Sequence, residues 1–479
     1  MPKEIEGKPV RAVMAAVQLP NVSDEEFEAS LAELRELAKT LGFQVVRTFT
    51  QKRAGFDRTG YLGVGKRQEI HAFVTGEPGA ALPPAEALPE GGAEEEAAER
   101  SAAAVLGRAR GDIAGDPGGD IEVILVDHEI SPSQLRNLEL EGGCEVMDRT
   151  MVILEIFHRN ARSPAAKAQV EIARLGYMAP RLREAAKLAG PQGRQRSGVG
   201  GRGSGESHTE LDRRKIRDRM AELQQEIDAM NATRDTQRAR RQVRQGGLAG
   251  VALVGYTNAG KSTLMRALTG SEVLVANKLF ATLDTTVRAL SPETTPRVLV
   301  SDTVGFIKNL PHGLVASFKS TLDEALDAEL LLHVIDASDP GFERQREVTD
   351  KVLAEIDADQ LPRIRVFNKI DHVGSGETAA AAQAELAERL KAKYPGCVVM
   401  SARRPEEVAR LHQIIVEFFQ RDMVEAELFL PWSAQQLRKN IYASCQVLEE
   451  RPDEAGAYFS VKGESAAVEK LRGMFSALT

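Results

Sequence analysis

Cysteine is scarce in this 479-residue chain: Cys144, Cys397 and Cys445 lie far apart, with no metal-ligand spacing. So sparse a set argues against a disulfide framework and fits a reducing cytoplasm, with all three read as packing residues rather than reactive thiols. Tryptophan occurs once, at Trp432 after Pro431, and is read as a packing anchor. No run of ~18 apolar residues is present, which excludes a membrane-spanning helix. The opening MPKEIEGKPVRAVMAA also lacks the long apolar stretch of a secretory signal. The expectation is a cytoplasmic protein without stable membrane insertion, a peripheral position at the membrane being its furthest approach. Hydrophobic residues make up 42% of the chain, enough for real cores, and the length suggests about three domains.

A surplus of positive charge is missing too, since the net charge is −8. Its distribution changes the reading. Between Arg159 and Arg244, 20 Lys and Arg face 10 Asp and Glu, a local excess of +10 that leaves −18 on the remainder of the chain. A basic segment inside an acidic protein is the electrostatic mark of a polyanion partner, although an exposed helical pair with a solvated Arg face would show the same composition.

What is present is a nucleotide-binding series in order. Val251–Ser262, VALVGYTNAGKS, is an apolar strand that breaks into Gly-x-x-x-x-Gly-Lys-Ser and continues with helical periodicity. Gly255 and Gly260 let the loop Tyr256-Thr257-Asn258-Ala259 curl so that amides point at phosphate oxygens. Lys261 neutralises β- and γ-phosphate charge, Ser262 ligates Mg²⁺, and Thr263 continues the helix. Leu299–Gly305, LVSDTVG, is a strand ending in Asp302-Thr303-Val304-Gly305. Asp302 would hold the outer Mg²⁺ shell and the Gly305 amide can reach a γ-phosphate. Further strands are read at Leu330–Asp336, at Arg363–Asp371 with Asn368-Lys369-Ile370-Asp371, and at Val398–Arg403 with Ser401-Ala402-Arg403. Apolar strands alternating with helical stretches predict a parallel sheet with ligand loops at its carboxyl ends.

Asn368–Asp371 selects the base. Asp371 can accept from N1–H and the 2-amino group of guanine, whereas adenine presents an acceptor at N1 and lacks that amine. A buried carboxylate would then be left unpaired, at a cost of roughly 1–3 kcal/mol or more. The series therefore reads as a GTPase rather than an ATPase. Between phosphate loop and Asp302 lies Phe280-Ala281-Thr282-Leu283-Asp284-Thr285-Thr286, where a switch threonine must place its hydroxyl on Mg²⁺. Three threonines compete, and chemistry does not choose among them. Phe306 stands where many GTPases carry a water-orienting Gln.

The chain resembles the HflX family of ribosome-associated GTPases beyond these motifs. Tyr61-Leu62-Gly63-Val64-Gly65-Lys66, Ser131-Pro132-Ser133-Gln134 with Arg136-Asn137-Leu138-Glu139, Asp148-Arg149-Thr150, Ile153–Phe157 and Gln169-Val170-Glu171 through Pro180-Arg181-Leu182 match in order. By that resemblance Thr282 is the switch threonine, so Lys261, Thr282 and Gly305 are the expected catalytic set and Ser262 and Thr282 the Mg²⁺ ligands. The family also implies GTP and GDP as ligands, the large ribosomal subunit and its RNA as partners, and splitting or rescue of stalled ribosomes. A monomer without a role on DNA is expected. A nucleotide-gated assembly or regulatory protein that leaves subunits joined is the alternative. Asn258 lies where related GTPases coordinate potassium, and a plain loop hydrogen-bonding role stands beside that reading. The loop Gly198–Glu206 departs from the family at Gly201 and Ser204. With Arg194, Arg196 and Arg202 it is assigned to RNA, as are Arg213, Arg214 and Arg217 on the following helix.

The expected organisation is an α/β N-terminal domain over 1–185 with a disordered acidic insertion near 76–120. A glycine loop and Arg-rich helical hairpin over 186–245 follow, the first helix taken from 165–185. The GTPase domain covers 246–422 and a small α/β domain 423–479. Within the first domain a strand is read at Arg11–Gln18, a helix at Asp24–Leu41 ending before Gly42, a strand at Phe43–Gln51 and another at Ile121–Asp127. Ser131, Pro132 and Gln134 signal the start of the next helix. Gln169–Ala186 and Glu210–Arg241 are the two Arg-rich helices. In the tail, Leu428–Leu430 and Ala457–Val461 are read as strands and Ser465–Phe475 as a helix.

Overall fold

A computed structural model describes residues 9–76, 121–188, 208–245, 249–270, 279–280, 283, 286–308, 328–421 and 423–476. Most of the expected insertion and the whole glycine loop lie outside them, with Arg194, Arg196, Arg202, Ala281, Thr282 and Asp284. The chain forms two compact units, Met1–Ile156 with Arg174–Ile216, and Phe157–Ala173 with Arg217–Thr479.

The first unit is built on β1 (Val10–Gln18), α1 (Asp24–Thr40), β2 (Phe43–Lys52), α2 (Val64–Thr75), β3 (Val123–Val126), α3 (Pro132–Gly142) and β4 (Glu145–Asp148). Three helices follow and contribute to both units: α4 (Arg149–Asn160), α5 (Pro164–Leu188) and α6 (His208–Gln245). Local chemistry sets the boundaries. Ser23 caps α1 by accepting from the Glu26 amide, and Gly42, at φ 86°, turns the chain into β2. Ser131 and Gln134 form a reciprocal capping box with Pro132 in the first turn of α3. The strands lie in the order β2-β1-β3-β4, all parallel. β1 is buried on both faces, as a covered parallel sheet requires.

The Asp148-Arg149-Thr150 segment locks this unit. Asp148 accepts from the Ile130 and Met151 amides at 3.2 and 2.9 Å and pairs with Arg181 at 2.9 Å, while the Tyr177 hydroxyl also donates to it. Arg149 pairs with Asp127 at 2.8 Å and also with Glu33. Buried charges are tolerable only with such partners.

In the second unit come β5 (Ala249–Gly255), α7 (Lys261–Thr269), β6 (Thr286–Ala289), β7 (Val298–Asp302), β8 (Leu330–Asp336), α8 (Phe342–Glu355), β9 (Arg363–Asn368), α9 (Ala379–Lys393), β10 (Val398–Val399) and α10 (Pro405–Gln420). Strand order is β10-β9-β8-β5-β7-β6. The expected parallel core is present, and β6 adds an antiparallel edge against β7 that alternation had not indicated. Helices cover both faces: Leu264 and Leu268 of α7 with Leu411 and Ile415 of α10 fill one core, and Val352 and Leu353 of α8 another. The carboxyl ends of β5, β7, β8 and β9 are thereby gathered at one edge.

The tail holds β11 (Met423–Pro431), α11 (Arg438–Ser444), β12 (Gln446–Pro452), β13 (Gly456–Glu464) and α12 (Ser465–Ser476), with an antiparallel order β11-β13-β12. The sequence had not marked β12. Trp432 is a correction: it is 46% exposed, its indole N–H donating to the Asp453 carbonyl at 3.1 Å, so it anchors no core. Leu428, Leu430, Phe459, Val461 and Phe475 make that core instead. Cys445 is buried, Cys144 and Cys397 half-buried, and none of the three is in a disulfide; burial raises the Cys144 thiol to about 11. Among the described residues no helix is long and apolar enough to cross a membrane.

Candidate active site

The phosphate loop is shaped by contacts only glycine permits. Gly255, at φ 149°, lies so close to β8 that a Cβ would sit 2.2 Å from the Val334 carbonyl oxygen. Gly260, at φ 94° and at the start of α7, would place a Cβ 2.3 Å from Asn368 Nδ2. Asn258, exposed at φ 59°, completes the curl while Ala259 is buried beneath it. The amides at the start of α7 are thus free of side-chain bulk and carry the helix's positive end.

Lys261 is buried. Its ammonium donates to the carbonyls of Gly255 and Tyr256 at 3.0 and 2.8 Å, folding the stem back over the loop. Burial lowers it to about 8, against the opposing attraction of Asp302 and with a smaller push from Lys369. An anion entering the loop would restore the full charge.

The second motif closes on the first. Ser262 Oγ donates to Asp302 Oδ2 at 2.7 Å. Thr303 Oγ1 donates to the Leu253 carbonyl at 2.7 Å, pinning β7 to β5, and Val304 is buried behind it. Gly305 approaches so closely that a Cβ would lie 2.9 Å from Thr257 Cα and 3.0 Å from Lys261 Nζ. Phe306 then turns inward, fully buried among Ala252, Val254 and Leu331. Its amide donates to the Gly255 carbonyl at 3.1 Å and its carbonyl accepts from Thr257 N at 2.7 Å, a strand-like bridge beside Tyr256. The Tyr256 hydroxyl accepts from Lys308 N at 2.8 Å.

The third motif joins the others. Asn368 Nδ2 donates to the Ala259 carbonyl at 2.9 Å, and its Oδ1 accepts from the Ala402 amide at 2.9 Å. Lys369, at φ 60°, pairs with Asp336 at 2.7 Å. Ile370 is buried, leaving Asp371 partly open with Arg403 4.0 Å and His372 3.5 Å from its carboxylate. Ser401 N donates to Glu407 at 2.5 Å and its hydroxyl accepts from Arg403 N at 3.2 Å. Asp336 and Glu407 were not expected at this edge. Asp336 ends its strand just where ligand loops begin, and Glu407 stands six residues after Ser401 in the first turn of α10, so both signals were readable.

Of the switch segment, Phe280 and Leu283 are described and buried, Phe280 packing edge-on against Phe157. The Thr263 side chain is half-buried on α7. On α6, Arg213, Arg214 and Arg217 are exposed, and Arg219 pairs with Glu171 of α5 at 3.2 Å.

A parallel sheet carrying a phosphate loop, Asp-x-x-Gly and Asn-Lys-x-Asp at one edge defines a P-loop GTPase, a GTP hydrolase. Residues 250–369 match the family described as 50S ribosome-binding GTPase, 160–241 the GTP-binding GTPase Middle Region, and 28–82 with 113–158 the GTP-binding GTPase N-terminal region. GTPase HflX of Gluconacetobacter diazotrophicus is 50% identical over 470 residues, covering 97% of this chain and 98% of that protein. GTPase HflX of Escherichia coli is 40% identical, with 70% and 76% covered. The chain belongs to the HflX family of GTPases. A solved GTP-binding protein of Sulfolobus solfataricus in complex with GDP aligns at 20% identity and a TM-score of 0.40, over 84% of this chain and 99% of that one.

Proposed function

We propose that this protein uses GTP, with Mg²⁺, to act on the large ribosomal subunit and to separate stalled or stress-inactivated ribosomes, working as a cytoplasmic monomer. The observation that carries the ribosomal part is the exposed row Arg213, Arg214, Lys215 and Arg217 on α6 in a chain of net charge −8. Such a row neutralises phosphates on a polyanion. Arg194, Arg196 and Arg202 would add to it.

The site fits a hard dication. Ser262 and Asp302 offer only oxygen, one of it anionic, and already meet at 2.7 Å. Ser262 and Thr282 would ligate the ion and Asp302 its outer shell; when bound, Mg²⁺ neutralises charge on the β- and γ-phosphate oxygens. Loop amides from Asn258 to Thr263 cradle the phosphates, the Thr257 amide staying on the Phe306 carbonyl, and Lys261 exchanges its carbonyl partners for phosphate oxygen. Gly305 N–H donates to the γ-phosphate. Asp371 accepts from guanine, the Lys369 stem covers the base and Ala402 lies beside it, held by Asn368. Phe306 sits in the core, so no residue directly after Gly305 aligns the attacking water. Turnover alone is then slow, on the order of 10⁻⁴–10⁻³ s⁻¹, and completion of the site in trans adds about 10³–10⁵-fold. The large subunit is that partner, and Asn258 serves the loop's own hydrogen bonding rather than a potassium ion.

Sucrose-gradient sedimentation with intact ribosomes and a non-hydrolysable GTP analogue tests the proposal. Conversion to free subunits is expected. It should be lost when Arg213, Arg214 and Arg217 are all changed to Glu, with GTP binding retained. Binding without conversion would instead favour a regulatory or assembly role. Single-turnover hydrolysis with and without large subunits, in potassium and in sodium, reads the stimulation directly.

A further inference from the structure

The approach to the switch segment is gripped by the junction of α4 and α5, a contact that none of the nucleotide motifs describes. Phe280 lies two residues before Thr282. Its backbone is left-handed, at φ 55°, a region a bulky aromatic residue rarely adopts, and its side chain is buried. Non-glycine residues persist there only where their surroundings impose it.

Two residues some 120 positions earlier impose it. Asn160 Nδ2 donates to the Phe280 carbonyl at 2.8 Å. The Phe157 ring meets the Phe280 ring edge-on, with centroids 4.6 Å apart and planes at 78°. The junction carrying them is itself braced. Ala161 N donates to the Phe157 carbonyl at 2.9 Å, and Ser163 caps α5 by accepting from Ala166 N at 3.1 Å. Phe157 is fully buried, and Leu279 and Leu283 are buried on either side of Phe280. A main-chain carbonyl held by a side-chain amide, beside an aromatic pair, restrains both position and orientation of that residue.

We propose that Phe157 and Asn160 are positioning residues for GTP hydrolysis: they hold Phe280 in its left-handed turn, two positions before the switch threonine in the sequence. This rests on the reading of Thr282 as that threonine. Neither residue belongs to the phosphate-loop, Asp-x-x-Gly or Asn-Lys-x-Asp motifs, so their effect belongs on the chemical step and not on guanine binding. Misplacement of a reacting group by about an ångström is enough to slow a reaction severely.

The test uses the full-length protein in single-turnover GTP hydrolysis, with GDP affinity and thermal unfolding measured in parallel. Asn160→Asp keeps the side chain's shape but presents a carboxylate where a donor is needed, and Asn160→Ala removes it. Phe157→Leu keeps the site apolar while losing the ring contact. Each is expected to slow hydrolysis about tenfold while GDP affinity stays within about twofold of the parent. Thr282→Ala is the control. Parental hydrolysis by Thr282→Ala would overturn the reading of that threonine. Parental or faster hydrolysis by both Asn160 variants would overturn the anchor, whatever Thr282→Ala does. Equal losses of rate and GDP affinity would also overturn it, by marking a general structural role.

Discussion

Asn368 donates to the Ala259 carbonyl at 2.9 Å, so the asparagine of Asn-Lys-x-Asp is also a strut of the phosphate loop. Its other amide atom accepts from Ala402 N at 2.9 Å, tying a third loop to the same side chain. Asn368→Asp keeps the acceptor but sets a carboxylate against the Ala259 carbonyl. The expected cost is about 1–3 kcal/mol. It should appear as a lower thermal midpoint and at least a tenfold loss of affinity for both GTP and GDP. Unchanged GDP affinity in an equilibrium titration would mean that the loop is held by other contacts.

Base choice should turn on Asp371. In Asp371→Asn an amide donor replaces the carboxylate proposed to pair with guanine N1–H and the 2-amino group. That donor matches the 2-oxo group of xanthine, so the variant should lose GTP and gain xanthosine triphosphate. Competition titration of the two nucleotides reads the switch. Retained GTP preference would remove Asp371 from the pocket.

Lys261 predicts a pH dependence of binding. Burial lowers its pKa to about 8 in the free protein, and bound phosphate raises it again. Binding therefore takes up a proton once the free lysine begins to lose its own. Affinity for GDP is full below pH 8 and falls above it, by about tenfold from pH 7 to pH 9. Calorimetry in two buffers of different ionisation enthalpy should show net proton uptake at pH 8. A flat affinity profile with no proton uptake would contradict the lowered pKa.

Phe306 bears on rate and stability together. Phe306→Gln would place an amide in a site filled by Ala252, Val254 and Leu331. It should destabilise the protein by roughly 2–4 kcal/mol and leave hydrolysis without ribosomes no faster. A clear acceleration would show that position 306 can turn toward the nucleotide.

Much of the site was legible in the sequence, for a local reason. Gly255, Gly260, Lys261 and Ser262 lie within eight consecutive positions, and Asp302 to Gly305 within four. Phosphate needs close backbone amides, so glycine must occur at set spacings after a strand. The strands are short apolar runs whose alternation with helices already implies a parallel sheet. Caps were equally plain: Ser131 with Gln134, and Gly42 after α1, act within a turn of themselves.

Other features depend on chain segments that meet only in the folded state. Periodicity did not mark β6, because an antiparallel edge strand four residues long with exposed positions carries little apolar signal. Trp432 was misread because a lone tryptophan is normally a core residue, and nothing local told that the tail's core would fill without it. The direction of Phe306 was likewise hidden: its identity excluded a role in aligning water, but only its pairing with Gly255 and Thr257 turned the ring inward.

The sequence by itself determined that this protein is a GTPase, since phosphate and guanine each demand particular groups at short spacing. The family-specific segments, similarly, were readable as strings of residues. Tertiary structure alone decided how those groups support one another. Asn368 reaches Ala259 across 109 residues, and Asn160 reaches Phe280 across 120. No local preference encodes such pairs. The first follows from a parallel sheet that brings the carboxyl ends of β5 and β9 to one edge, the second from the end of α4 meeting the segment that follows α7.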